Sequence, residues 1–294
     1  MPFSIQKWAN PNSWTRTTFD RADHYSLVGG LCGALGALCA AAPAGLSSVL
    51  HIGPLGPMRA MFILYAVIGV AADGVYRSIA RLDQSVPRVP AALGPSRRRV
   101  IQLAALFSVD AFAGGFIVQS ILALWLFQAF GISLVAAASI FFWLNVLNAV
   151  SYAVAPAIAR RFGLINTMVF THIPSSLCLI GVVFAPNLRV AIALLLVRGL
   201  LSQMDVPTRS SYVVAVVTPA ERPAAASITA VPRSLAAAAS PAVAGYLLTL
   251  STFGWPLILC AALKIGYDLA LLAMFRKVRP PEEEAGGVGA PPTS

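Results

Sequence analysis

Eight predominantly apolar runs recur along this 294-residue chain, at 25–48, 58–78, 103–128, 134–158, 164–186, 189–207, 224–250 and 256–275. Each is close to the roughly 20 residues that a helix needs to cross the hydrocarbon of a bilayer. The breaks between them are short and rich in turn formers: "HIGPLGP", "FGIS", "RRFG", "APN" and "STFGWP". Inside hydrocarbon every backbone N–H and C=O must be bonded, and a helix does this within its own segment. The pattern predicts an all-α, polytopic transmembrane bundle of about 8 helices.

Composition leads to the same class. Hydrophobic residues make up 58% of the chain and charged residues only 11%, against about a quarter charged in a soluble domain. The net charge of +10 does not point to nucleic acid, because most of the cations sit in short segments between apolar runs. That is the distribution expected of cytoplasmic loops. With the N-terminus inside, Lys7, Arg77, Arg88, Arg97, Arg161, Arg222 and Lys277 fall on the cytoplasmic side, and only Arg59 and Arg189 fall outside. The expected location is therefore the cytoplasmic membrane, multi-pass, with both termini cytoplasmic.

Five segments follow. Residues 1–24 have no apolar core and no small-residue cleavage site, and read as a cytoplasmic segment rather than a signal peptide. Residues 25–78 hold two transmembrane helices. Residues 79–102 form an Arg- and Pro-rich cytoplasmic connector, and 103–278 a six-helix bundle. Residues 279–294, "RPPEEEAGGVGAPPTS" without its first basic neighbours, form an acidic tail expected to be disordered. Four cysteines, Cys32, Cys39, Cys178 and Cys260, lie in apolar runs without any C-x-x-C spacing. They are expected to be small buried hydrophobes rather than metal ligands.

Ionisable residues at membrane depth cost about 2.5–3.5 kcal/mol or more each and are functional candidates by default. Asp110 lies in "LAALFSVDAFAGGFIVQS", upstream of Gln119. It reads either as a gating carboxylate on a cavity-lining helix or as a hydrogen-bonded group near the cytoplasmic interface. Asn145, Asn148 and Tyr152 recur at helical spacing and face either another helix or a solute. Lys264 and Asp268 share a helix face four residues apart, so a structural ion pair is expected. Asp73 is placed to pair with Arg77 in the same way. His172 in "FTHIPSS" reads as a neutral imidazole bonded between helices, with a proton relay as the other reading. Arg233 opens the small-residue run "RSLAAAASPAVAG", in which Pro241 is expected to kink the helix.

The segment "RGLLSQMDVPTRSSY" carries Arg198, Asp205 and Arg209. At 100° per residue the three fall within about 20° of one another on a continuous helix. Pro207 is expected to end that helix. Arg209 is then interfacial, Asp205 can pair with it, and Arg198 lies too deep for snorkelling. Arg198 is expected to face a cavity or a buried acid, with Asp110 as a possible partner.

Two internal echoes, "YSLVGGLCGALGALCA" with "RSLAAAASPAVAGYLL" and "FILYAVIGVAAD" with "LILCAALKIGYD", match the first helix pair to the last. On these, on the basic connector, and on "ARRFGLINT" and "MDVPTRSSYVVAVVTPAER", the chain resembles the major facilitator superfamily. The resemblance covers helices five to twelve and is nearest to drug/proton-antiporter-like members. In the family's cytoplasmic loop motif, Arg161 and Gly163 fit, while Arg160 stands at the acidic position. The resemblance implies alternating access between two six-helix bundles, driven by a proton or solute gradient. It implies an N-terminally truncated transporter of a small organic solute, efflux being one direction, with a partner chain expected if the truncation is real. The substrate or coupling candidates are Asp110, Gln119, Asn145, Asn148, Arg198, Asp205 and Arg233. The alternative is a non-transporting membrane scaffold or sensor, or a degraded transporter fragment. No P-loop, clustered histidines or metal-ligand spacing is present in the sequence, so no cofactor, metal or enzymatic role is expected.

Overall fold

A computed structural model describes residues 27–51, 53, 55–82, 93–94, 96–215, 217–218 and 221–275. The expected cytoplasmic segment 1–24, residues 83–92 of the connector and the tail 279–294 lie outside the described residues. All regular structure among the described residues is helical. The helices are α1 (27–39), α2 (Ala42–Leu50), α3 (Leu55–Leu82), α4 (Arg97–Gly115), α5 (Gln119–Phe130) and α6 (Leu134–Phe162), followed by α7 (Leu164–Val183), α8 (Leu188–Ser202), α9 (Asp205–Ala215), α10 (Arg222–Leu250) and α11 (Trp255–Phe275).

Three of the expected spans are each made of two helices. The first breaks at residues 40–41, where Pro43 opens α2, a position at which a missing N–H costs nothing. The third begins at Arg97 rather than 103, so Asp110 lies thirteen residues into its helix, and it breaks at Phe116–Val118 before α5. The sixth breaks at Gln203–Met204, between α8 and α9. Six segments are long and apolar enough to cross a membrane: Leu27–Val49, Leu55–Ser78, Arg97–Phe130, Leu134–Ala159, Leu164–Val183 and Trp255–Phe275. The α8–α9 pair falls short because of its break. Helix α10 falls short because alanine, serine and proline dilute its hydropathy around Arg233. Pro232 and Pro241 both lie within α10, which runs on through them as one helix.

The core is divided into two apolar layers stacked along the helix axes. One contains Leu103, Phe107, Met168, Val169, Tyr212, Tyr267, Leu271 and Phe275. The other contains Ala113, Phe116, Trp125, Leu144, Leu179, Leu195, Leu257 and Cys260. The change of layer occurs at the same level on three helices: after Phe107 on α4, after Val169 on α7, and between Ala261 and Tyr267 on α11. The residues at that level are Asp110, His172 and Lys264.

Close packing relies on small residues, which replace the absent hydrophobic driving force between helices in lipid. A Cβ on Gly115 would lie 2.7 Å from Ser240 Cβ, so α4 and α10 approach at that glycine. A Cβ on Gly30 would lie 2.9 Å from Ala149 Cβ, which brings the first helix against α6. By contrast α3 leaves Phe62, Tyr65 and Val70 more than two-thirds exposed, as befits a helix whose apolar surface faces lipid. Its Asp73 and Arg77 pair at 2.7 Å. Cysteine burial differs from expectation. Cys260 is buried and Cys178 half-buried, but Cys32 and Cys39 are exposed on the outer face of α1, where lipid rather than protein takes up their apolar surface.

Outside the spanning helices, Glu221 ties the start of α10 to the segment before α4. It accepts hydrogen bonds from Gly94 N–H (2.6 Å), Ser96 N–H (3.4 Å) and the Thr218 hydroxyl (2.8 Å). Hydrogen bonds from Thr218 and Ser96, followed by the backbone N–H groups, hold its carboxyl near 2, below the usual 4.5. A depressed carboxyl stabilises the fold above its unfolded value and loses that contribution as pH falls through the folded one. Glu221→Gln should therefore lower the unfolding midpoint of the detergent-solubilised protein at neutral pH. The gap to wild type should close as pH falls from about 4.5 towards about 2. Thermal unfolding followed by circular dichroism across that window checks this; a gap that stays constant contradicts it.

Candidate functional site

The ionic layer is centred on Asp110, which is 4% exposed. Its two carboxylate oxygens are shared out. Arg209 Nη2 on α9 donates to Oδ2 at 2.8 Å, and Lys264 Nζ on α11 donates to Oδ1 at 2.6 Å. Arg209 also donates to Asp205, one turn back on its own helix, and its guanidinium lies 5.2 Å from the centre of the Phe107 ring. A guanidinium fork suits two carboxylates at once. Burying unpaired ions at this depth is prohibitive, and pairing each with hydrogen-bonded partners offsets the cost. Asp110 is therefore a carboxylate held by cations from two other helices. It joins three helices in mid-bundle.

His172 completes the layer from α7. Its Nδ1 lies 3.2 Å from Asp268 Oδ1, and its Nε2 lies 3.9 Å from Asp205 Oδ1. One imidazole thus faces carboxylates from two helices, with the Tyr267 ring edge-on beside it. The expected Lys264–Asp268 ion pair is not formed. The two residues share a helix face, but Lys264 reaches α4 and Asp268 takes His172 instead. Sequence spacing brings the partners near each other, and tertiary neighbours decide the pairing.

The charged stripe of "RGLLSQMDVPTRSSY" is likewise corrected. The chain leaves helical geometry at Gln203–Met204, so Arg198 belongs to α8 and Asp205 and Arg209 to α9. The break is upstream of Pro207, which falls in the first turn of α9, where a missing N–H is tolerated. Arg209 is 7% exposed and paired. Asp205 does pair with it, as the i, i+4 spacing allows. Asp110 is not the partner of Arg198, because Arg209 and Lys264 occupy its carboxylate. Among the described residues no carboxylate lies within ion-pair distance of Arg198, and its titratable neighbours are the thiols of Cys260 and Cys178.

Asp110, Gln119, Asn145, Asn148, Arg198, Asp205 and Arg233 all line one cavity of about 380 Å³. They come from α4, α5, α6, α8, α9 and α10. Two of the helix breaks open onto it, through Val118 and Gln119 at the start of α5 and Ser202 and Gln203 at the end of α8. Asn145 donates to Phe141 O at 2.9 Å and to Gly33 O at 3.4 Å, linking α6 to α1. Tyr152 donates to Gln203 at 2.9 Å. The polar stripe of α6 therefore bonds across helices at two positions and faces the cavity at Asn145 and Asn148. Reading from sequence missed Ser202 and Gln203, whose only signal is their place beside a helix break. It also missed that Lys264 and His172 reach the same cavity.

The loop motif lies apart from this site. Gly163, between α6 and α7, has φ 85°, a conformation that a side chain rarely adopts. Its N–H donates to Ala159 O, and its carbonyl accepts from the Thr167 hydroxyl at 2.8 Å. Arg161 is exposed and stacks over Phe162. The side chain of Arg160 lies outside the described residues.

A family model described as Major Facilitator Superfamily matches residues 104–293, about two-thirds of the chain. No curated protein matches it.

Since Arg209 joins two buried carboxylates, Arg209→Gln should cost about 3–5 kcal/mol of stability, the usual penalty for stranding a buried charge. Chemical unfolding in detergent micelles measures this. A loss below about 1 kcal/mol, the level of a surface pair, contradicts the geometry.

Proposed function

We infer that this chain, which belongs to the Major Facilitator Superfamily and is a multi-pass membrane transporter of that type, carries a small organic solute through the cavity described above. The observation that carries this reading is the position of the cavity. It lies between two apolar layers, beside two interrupted spans, and it is lined by eight helices with polar groups that lipid would not tolerate. Interrupted helices free backbone groups for solute and lower the cost of repacking, a device that membrane carriers use at their midplane sites.

The mechanism we propose is alternating access, with the ionic layer as its switch. Asp110 takes one cation from α9 and one from α11, so movement of either helix exchanges rather than abandons an ion pair. His172 is the proposed proton carrier. Its ring faces Asp268 and Asp205 directly, with Asp110 and Tyr267 in the same layer. Protonation adds a charge among three carboxylates and tightens the hold of α7 on α9 and α11. Solute export in exchange for protons is the form suggested by the resemblance to drug/proton antiporters. Placement in the cytoplasmic membrane with both termini inside rests on the distribution of arginine.

Flux of a panel of labelled solutes into proteoliposomes, driven by an imposed pH gradient, tests the proposal. At least one solute should move. Ser202→Trp, which fills the cavity, should reduce its flux to background while helicity is retained. His172→Gln should leave exchange but remove the pH drive. No flux for any solute, or full flux through Ser202→Trp, rejects the reading.

A further inference from the structure

The charges that line the cavity do not cancel. Four cations, Arg198, Arg209, Arg233 and Lys264, stand against two carboxylates, Asp110 and Asp205. Arg209 and Lys264 are committed to those carboxylates. Asp268 is paired with His172 behind the cavity wall. The remaining cations, Arg198 and Arg233, have neither an ion pair nor a hydrogen bond among the described residues. Arg233 is exposed at the cavity edge, and Arg198 is half-buried inside it.

We propose that this cavity binds a small organic anion, with Arg198 holding its carboxylate or phosphate group and Arg233 drawing it in. This rests on the reading of the cavity as the solute site and adds the charge of the solute. A guanidinium at membrane depth is costly without a counter-charge, and here the counter-charge is the ligand. Neutral donors stand beside it. The Ser202 hydroxyl lies at the end of α8 and has no hydrogen-bond partner among the described residues. The opening turn of α5, at Val118 and Gln119, presents N–H groups that no helical carbonyl can satisfy at the positive end of the helix dipole. A cationic solute would meet two uncompensated positive charges and no spare carboxylate. The low dielectric around the site makes that repulsion strong.

The test is thermal unfolding of the full chain in detergent with four probes: succinate, inorganic phosphate, neutral succinamide and cationic putrescine. Succinate, phosphate or both should raise the unfolding midpoint by several degrees, since a ligand that binds only the folded state stabilises it by mass action. Which of the two acts identifies a carboxylate or a phosphate ligand. Arg198→Gln should abolish the shift, Arg198→Lys should keep part of it, and Arg233→Gln should weaken it. Arg59→Gln, which removes a cation from exposed α3, should leave it intact. Because Arg198 has no partner among the described residues, Arg198→Gln without probe should unfold no earlier than wild type. A shift by putrescine or succinamide that Ser202→Trp removes overturns the anion and leaves the cavity as the solute site. An oxyanion shift that survives Arg198→Gln also overturns the proposal. No shift by any probe overturns it too, and combined with absent solute flux removes the transport reading as well.

Discussion

Asp110 sits where two cations from different helices converge, and the middle of the bundle is organised around that convergence. Without water a lone carboxylate at this depth is too expensive to keep. Arg209 and Lys264 meet its two oxygens at 2.8 and 2.6 Å, which draws α9 and α11 towards α4. Arg209 in turn satisfies Asp205, and Asp205 lies within reach of His172. Each ion is compensated by a neighbour on another element, so the layer behaves as a unit and separates the two apolar halves of the core.

The same arrangement explains why a cavity persists here. Apolar side chains close the bundle above and below the layer, through Leu144 and Leu195 on one side and Phe107 and Met168 on the other. The chain gives up helical continuity beside the ions at Gln203–Met204, and again about two turns beyond Asp110 at Phe116–Val118. Both breaks border the cavity, at Val118 and Gln119 and at Ser202 and Gln203. A site with fixed ions, free amides and interrupted helices is suited to a solute that must be held and then released.

Much of this was legible in the sequence, for physical reasons. Apolar runs of membrane length predict helices strongly, because lipid permits little else. The Asp205–Arg209 pair follows from local geometry. The seven candidates could be chosen because charged and amide side chains are rare in apolar runs, and the cavity gathers all seven. What could not be read was partnership. Lys264 and Asp110 are 154 residues apart, and only helix packing brings them together. The i, i+4 rule pointed Lys264 to Asp268 because it cannot see His172 on another helix. The break before Asp205 was hidden as well, since Pro207 drew attention to a point just downstream of it.

The most direct measurement is a pair of double-mutant cycles on unfolding stability in detergent, using Asp110→Asn with Lys264→Met and Asp268→Asn with Lys264→Met. Residues in direct contact couple by about 0.5–3 kcal/mol, and those without shared contacts do not. The account predicts coupling above about 1 kcal/mol between Asp110 and Lys264 and a clearly smaller value between Asp268 and Lys264, which share a network but make no direct contact. Strong coupling within α11 and none across to α4 would contradict it.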